Sequence, residues 1–261
     1  MGALPNEVVS FQGVDKVYNT GTVALSQFDL SIKEGEFVSF LGPSGCGKST
    51  ALRMVAGLGE ATEGKVEVFG QNPKAVIKHS NDIAFVFQEA NLLPWRTVLD
   101  NVLLPLELRG LDKVKRKEFA ISVLEMVGLK DYLKAYPRQL SGGMKMRASI
   151  ARALAAKPKM LLMDEPFAAL DEMTRQTLQM DLLDIWKREN TTILFVTHNV
   201  YEAVYLSSRI AVMSARPGRL STVIEVDLPY PRDRVNRKFT EYVDKASQSL
   251  EHSMGRKEWG E

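Results

Sequence analysis

The sequence predicts an α/β protein whose core of parallel strands and helices carries an N-terminal antiparallel β subdomain and an inserted α-helical subdomain. Three patterns carry that expectation. Residues 8–32 alternate apolar and polar side chains, the mark of half-buried antiparallel strands. Four short runs, 36–41, 160–163, 193–196 and 210–213, are apolar, the last three of the kind buried on both faces of a parallel sheet. Between the first and second of these runs, residues 92–156 have the texture of helix.

Taken in order, Val8–Tyr18 and Val23–Ile32 read as a hairpin around Asn19-Thr20-Gly21-Thr22. The strand Glu36–Leu41 runs into a glycine-rich loop, and Lys48–Gly57 has helical spacing with Leu52 and Val55 inward. Val66–Phe69 and Ile83–Phe87 read as strands. Val98, Val102 and Leu106 then recur at four-residue steps, and Phe119, Val123 and Met126 mark a second helix stopped by Gly128. The strand Met160–Met163 resumes the core, followed by a helix over Glu172–Glu189 and the strands Ile193–Val196, Ile210–Met213 and Val223–Leu228. Phe239, Tyr242, Val243, Ala246 and Leu250 form the apolar stripe of a last helix. No internal repeat or low-complexity segment interrupts this order.

Composition narrows the class. The chain has 261 residues, 45% hydrophobic and 25% charged, which is the balance of a globular protein with a core large enough to need no disulfide or structural metal. Thirty-four basic residues against thirty-two acidic give a net charge of +2, too even for a general nucleic-acid binder. Met1–Val8 lacks a signal-peptide pattern, Asn6 breaks the myristoylation pattern that Met1-Gly2 would open, and no apolar run approaches the length of a membrane span. With a single cysteine, Cys46, a reducing compartment is expected.

The loop after the third strand reads Gly42, Pro43, Ser44, Gly45, Cys46, Gly47, Lys48, Ser49, Thr50, which fits G-x-x-x-x-G-K-[ST] between a strand and a helix. Glycines let successive backbone N–H groups converge on the β and γ phosphates of a nucleotide, the helix start adds partial positive charge, and Lys48 adds a full one. Ser49 would offer its hydroxyl to Mg²⁺ and Thr50 a phosphate contact. The strand Met160-Leu161-Leu162-Met163 ends in Asp164 and Glu165. At the carboxyl end of a parallel strand, where ligands of open α/β sheets gather, Asp164 would hold Mg²⁺ and Glu165 would orient and deprotonate a water. Such paired acids can also be no more than a helix cap. Cys46, beside a helix start, is expected to have an acidified thiol, so that maleimide inactivates and ATP protects.

Leu140-Ser141-Gly142-Gly143 before a helix completes a set, in this order, that resembles the ABC transporter ATPase subunits, from about Val8 to Leu228. The resemblance implies a P-loop NTPase (RecA-like) core and makes 1–261 one ABC ATPase domain. Within it, 1–90 and 157–230 are the nucleotide-binding core with its β subdomain, 91–156 the helical signature subdomain, and 231–261 a C-terminal helical tail. It implies that Tyr18 stacks on adenine, that Gln88 senses Mg²⁺ and links to the membrane subunit, and that Asp171 lies in a loop crossing a dimer interface. It implies further that His198 faces the γ-phosphate. Ser141, Gly142 and Gly143 become a second anion site, so that each ATP is closed between the phosphate loop of one subunit and the signature of another.

Met144, Ala168 and Asn199 depart from the commonest pattern, where Gln, Ser and Asp stand. Met144, together with Asn91–Asn101 and Glu202–Leu220, resembles the branch of nitrate, sulfonate and taurine importers. The expectation is therefore an ATP-hydrolysing importer subunit using ATP and Mg²⁺ for uptake of a small anion. It would work as a homodimer or paired ATPase subunit with a separate transmembrane permease, indirectly with an external solute-binding protein, without nucleic acid, at the inner face of the membrane on the cytoplasmic side. A soluble ABC ATPase without transport is the competing reading. Leu92, Leu93 and Trp95 could line a groove for the membrane subunit or be core, and Arg232, Arg234, Arg237 and Lys238 read as a solvated charged surface.

Overall fold

The computed structural model describes residues 6–80, 82–110 and 112–254, so expectations resting on Met1–Pro5 or on residues 255–261 lie outside it. The chain divides into two compact units, Met1–Ser80 with Thr192–Glu261, and Asn81–Thr191.

In the first unit β1 (Glu7–Val17) pairs antiparallel with β2 (Val23–Lys33) on one side and β4 (Glu63–Val68) on the other, giving the order β2-β1-β4. The inward positions Val9, Phe11, Val14, Leu25, Phe28 and Ile32 are buried, as the alternation requires. β4 starts three residues before the expected Val66 because Glu63-Gly64-Lys65 is polar and gains its ladder from β1 rather than from a buried face. A second run has the order β7-β3-β8-β9. β3 (Phe37–Leu41) lies parallel to both β7 (Thr192–Thr197) and β8 (Arg209–Met213), and β9 (Leu220–Glu225) closes antiparallel on β8. Every residue of β3 and β7 is buried, so these strands show no alternation. Phe28 lies 6.4 Å from Phe40 between ring centres, joining the two sheets of this unit. β9 sits earlier than the expected Val223–Leu228, since the ladder ends at Glu225 although Val226 is still buried.

Among the described residues, four helices complete the unit. α1 (Lys48–Val55) follows the glycine loop and buries Leu52 and Val55 as expected. α2 (Pro73–His79) and α7 (Val200–Leu206) were not anticipated, being single short helices with little periodicity, yet both carry legible starts. Asn72 caps α2 with Pro73 at its first position, and Asn199 caps α7. α8 (Arg237–Ser253) turns Phe239, Val243 and Ala246 inward. Arg232 corrects the expected charged surface. It is buried, and its guanidinium donates to the carbonyl oxygens of Val204, Ser207, Val226 and Leu228 while packing 4.1 Å from the centre of the Tyr230 ring. Burial lowers its pKa. Arg234 stacks on Tyr205, 4.4 Å from the ring centre.

The second unit holds the parallel pair β5 (Ile83–Val86) and β6 (Met160–Asp164), in register from Ile83 opposite Met160 to Val86 opposite Met163. Its helices are α3 (Val98–Leu108), α4 (Lys113–Met126), α5 (Gly142–Ala155) and α6 (Glu172–Glu189), with short 3₁₀ turns at Lys130–Tyr132 and Pro137–Gln139. The buried Asn101 fixes the segment before α3, its amide donating to the carbonyls of Leu93, Arg96 and Thr97 and accepting from the N–H of Leu93. Trp95, 71% exposed, is not core.

Candidate nucleotide site

Within the first unit the phosphate-loop residues emerge from the carboxyl end of β3. Leu41 pairs with Thr197, so the loop opening at Gly42 and His198 leave neighbouring parallel strands at the same end. Gly47 adopts φ +93°, and a Cβ there would stand 2.5 Å from the Ala24 carbonyl oxygen and 2.7 Å from Leu25 Cδ2. Only glycine fits. A Cβ on Gly42 would stand 2.7 Å from Cys46 Sγ. The turn folds Lys48 back onto itself, Nζ donating to the carbonyls of Gly42 at 2.7 Å and Pro43 at 2.9 Å, so a cation is fixed inside a ring of backbone. α1 starts directly at Lys48 with no side-chain cap and no acidic residue in its first turn, which leaves its positive end unopposed. Ser44 and Gly45 are exposed, Ser49 and Thr50 half-buried.

Tyr18 sits in the β1–β2 turn, closed by its own N–H to Thr22 O and by Gly21 N–H to Tyr18 O. Its hydroxyl shares a 3.1 Å hydrogen bond with that of Thr50, which holds a half-exposed ring at the rim of the phosphate loop. Lys16 Nζ lies 5.3 Å from the ring centre. His198 is exposed and held from both flanks. Thr197 donates its hydroxyl to the buried Glu202 carboxylate at 2.7 Å and accepts the N–H of Asn199, whose side chain in turn accepts the N–H of Glu202. Asn199 thus does the capping work that Asp would do.

Cys46 corrects the expected acidified thiol. The side chain is buried, and desolvation pushes its pKa up, outweighing the nearby Lys48 charge. Proximity to a helix start does not acidify a thiol that points into the core.

Within the second unit the β5–β6 register carries Gln88 and the pair Asp164, Glu165 off the same end of two parallel strands. Asp164 is buried at the strand's end, while Glu165 is half-buried in a left-handed conformation, φ +45°. Strain of this kind in a non-glycine residue gathers at functional positions. Gln88 is exposed. Arg152, on α5, donates to the carbonyls of Ala90 and Asn91 and ties that segment to the helix.

Ser141 caps α5, its hydroxyl accepting the N–H of Met144, so the Met backbone serves where its side chain departs from the common Gln. A Cβ on Gly143 would stand 3.2 Å from Leu170 Cδ2, which places the Ser141–Gly143 turn against the loop ending in Asp171. Asp171 caps α6 by accepting the N–H of Thr174, a bond that lowers its pKa, and Arg175 braces the same loop through the carbonyls of Phe167 and Leu170. The sequence reading missed the bracing by Arg175 and Arg152 and the Thr197–Glu202 bond, because single arginines and acids carry no periodic signal.

The comparisons with known proteins identify the family. The family model described as ABC transporter matches residues 25–168. An uncharacterized ABC transporter ATP-binding protein of Methanocaldococcus jannaschii is 52% identical over 85% of this chain and 82% of its own length. An aliphatic sulfonates import ATP-binding protein of Bacillus cereus is 45% identical over 93% of this chain and 96% of its own. Among solved structures, a dimeric ATP-binding cassette in a post-hydrolysis state with ADP and phosphate superposes with a TM-score of 0.78 at 35% identity, covering 85% of this chain and all of that one.

Proposed function

The chain belongs to the ABC transporter family, and from that premise we propose that it is the ATP-hydrolysing subunit of a membrane importer for a small anion, sulfonates foremost. The ATPase assignment follows from membership together with the ADP- and phosphate-bound cassette that the fold matches. The importer and its solute class are supported by the relatives named for aliphatic sulfonate import. Among the described residues no helix is long and apolar enough to cross a membrane, which is compatible with a separate permease supplying the spans. The division into 1–90 with 157–230, 91–156 and 231–261 is part of the same reading.

The single observation that carries the chemistry is the phosphate loop, in which glycine is sterically required at Gly47 and the Lys48 ammonium is fixed among loop carbonyls. A polyphosphate would exchange those carbonyls for its own oxygens and receive the N–H groups of residues 45–50. Ser49 by its hydroxyl, Gln88 by its amide oxygen and Asp164 by its carboxylate are each a hard oxygen donor of the kind Mg²⁺ takes, and each would hold the ion that arrives with the nucleotide. Among the described residues no cluster of three or more His, Cys, Asp and Glu gathers for a resident metal. When bound, Mg²⁺ supplies charge neutralisation at the phosphate oxygens. Glu165 accepts the proton of the attacking water, His198 orients the γ-phosphate, and Tyr18 offers a ring face to adenine. The Ser141–Gly143 turn offers helix-start N–H groups to the nucleotide of a second subunit. That arrangement makes ATP the link between subunits and its hydrolysis the release, which moves the permease between two states.

Two experiments test this. Glu165→Gln should lower turnover at least about 100-fold, the scale of a lost general base, with ATP binding kept. Near-native turnover would contradict the assigned role. Purification of the tagged chain in mild detergent should bring down a polytopic membrane protein, whereas soluble partners alone would favour an ATPase without transport.

A further inference from the structure

The turn between β8 and β9 places an arginine on the phosphate loop that no part of the reading above uses. Arg216-Pro217-Gly218 is fixed to the loop's base from several sides. Gly218 donates its N–H to Ala24 O and accepts from Ser26 N–H, and a Cβ on it would stand 2.0 Å from the Cys46 carbonyl oxygen. Ser214 closes the turn, its N–H donating to Arg219 O, its hydroxyl donating to Pro217 O and accepting from Arg219 N–H. From this anchored turn the Arg216 side chain reaches Gly45. A Cβ there would meet its Nη2 at 3.1 Å, Nε at 3.6 Å and Cζ at 3.8 Å, so the guanidinium lies directly over the loop backbone.

Gly45 stands at φ +76° and is exposed, so a bare backbone position is what lets a planar guanidinium approach so closely. No hydrogen bond or ion pair to another described residue is recorded for the Arg216 side chain, although a guanidinium carries five donors. An arginine held for structure is expected to spend those donors on protein acceptors, as Arg232 does on four carbonyls. Arg216 is exposed and carries its charge beside the phosphate loop.

We propose that Arg216 is a second cation of the nucleotide site, strengthening the binding of the polyphosphate across Gly45. Lys48 acts from inside the loop and Arg216 from its outer face, so that the ligand is a nucleoside di- or triphosphate rather than a nucleoside. The inference rests on the phosphate-loop reading above. A screened charge acting on a multiply charged ligand changes affinity severalfold without touching the reacting atoms.

The test uses the full chain and measures dissociation constants for ATP, ADP and adenosine in the native protein, Arg216→Gln, Arg216→Lys, Arg216→Glu and Lys48→Ala. Arg216→Gln should weaken ATP about three- to tenfold and adenosine not at all, Arg216→Lys should restore most of the loss, and Arg216→Glu should exceed it. The native advantage over Arg216→Gln should shrink as salt rises, with melting temperatures unchanged. Unaltered ATP affinity in the Gln and Glu variants, with Lys48→Ala binding lost, overturns the role of Arg216 alone. Equal weakening for adenosine overturns it as well, by exposing a packing effect. Native affinity in Lys48→Ala would instead overturn the phosphate-loop reading beneath it.

Discussion

A few residues decide the chemistry through space rather than charge. Gly47 is confined by the Ala24 carbonyl and Leu25, and its φ of +93° is one that a side chain resists. Gly47→Ala is therefore expected to cost about 2 kcal/mol or more of stability and to abolish ATP binding, checked by urea unfolding and nucleotide titration. Cys46 is governed by burial in the same loop. With its pKa raised above the ordinary 9.0, the thiol stays protonated at neutral pH, so maleimide labelling of the native protein should be slow at pH 7 and quicken only in alkali. Labelling at the rate of a free thiol would contradict the buried setting. These two neighbours show how unevenly a motif is legible. The need for glycine is spelled in G-x-x-x-x-G-K-[ST], whereas the direction of the Cys46 side chain depends on packing that the motif does not encode.

At the scale of elements, periodicity revealed long or strongly patterned pieces and missed the pieces held by other means. α6 spans Glu172–Glu189 as its residues predict, opened by Asp171 and closed at the left-handed Asn190. α2 and α7 escaped because seven residues make scarcely two turns, although their Asn caps were present in the sequence. Residues Arg209–Pro231 could not reveal Arg232, since a buried arginine is defined by carbonyls from two separated stretches, 204–207 and 226–228. Arg232→Met leaves those carbonyls unpaired and should cost about 2–4 kcal/mol in urea unfolding, while turnover per folded molecule stays native. Asp171 has a pH signature. The Thr174 N–H stabilises its charged form, so its folded pKa lies below the ordinary 3.8. Its contribution is complete above that value and is lost as pH falls through the lower folded one. The stability difference between the native chain and Asp171→Ala should therefore be constant near neutrality and close in acid, read by thermal melts across pH 2–6.

For the molecule as a whole, the order of motifs along the chain was enough to reveal the family, because each motif sits at a strand end or helix start that elementary pattern rules identify. The partner and the solute are less legible, since neither need touch the residues that handle the nucleotide. Each unit displays its own set of groups. One carries the phosphate loop with Tyr18 and His198, the other the Gln88, Asp164 and Glu165 edge with the Ser141–Gly143 turn braced on the Asp171 loop. In the proposed function the turn of one copy completes the nucleotide site of another. The most direct measurement is the mass in solution of Glu165→Gln with and without Mg-ATP, by light scattering after size-exclusion chromatography. The mass is expected to double with Mg-ATP and not with ADP, and to stay single when Ser141→Arg is added. A variant that binds ATP with native affinity yet keeps the same mass at every nucleotide concentration would contradict it.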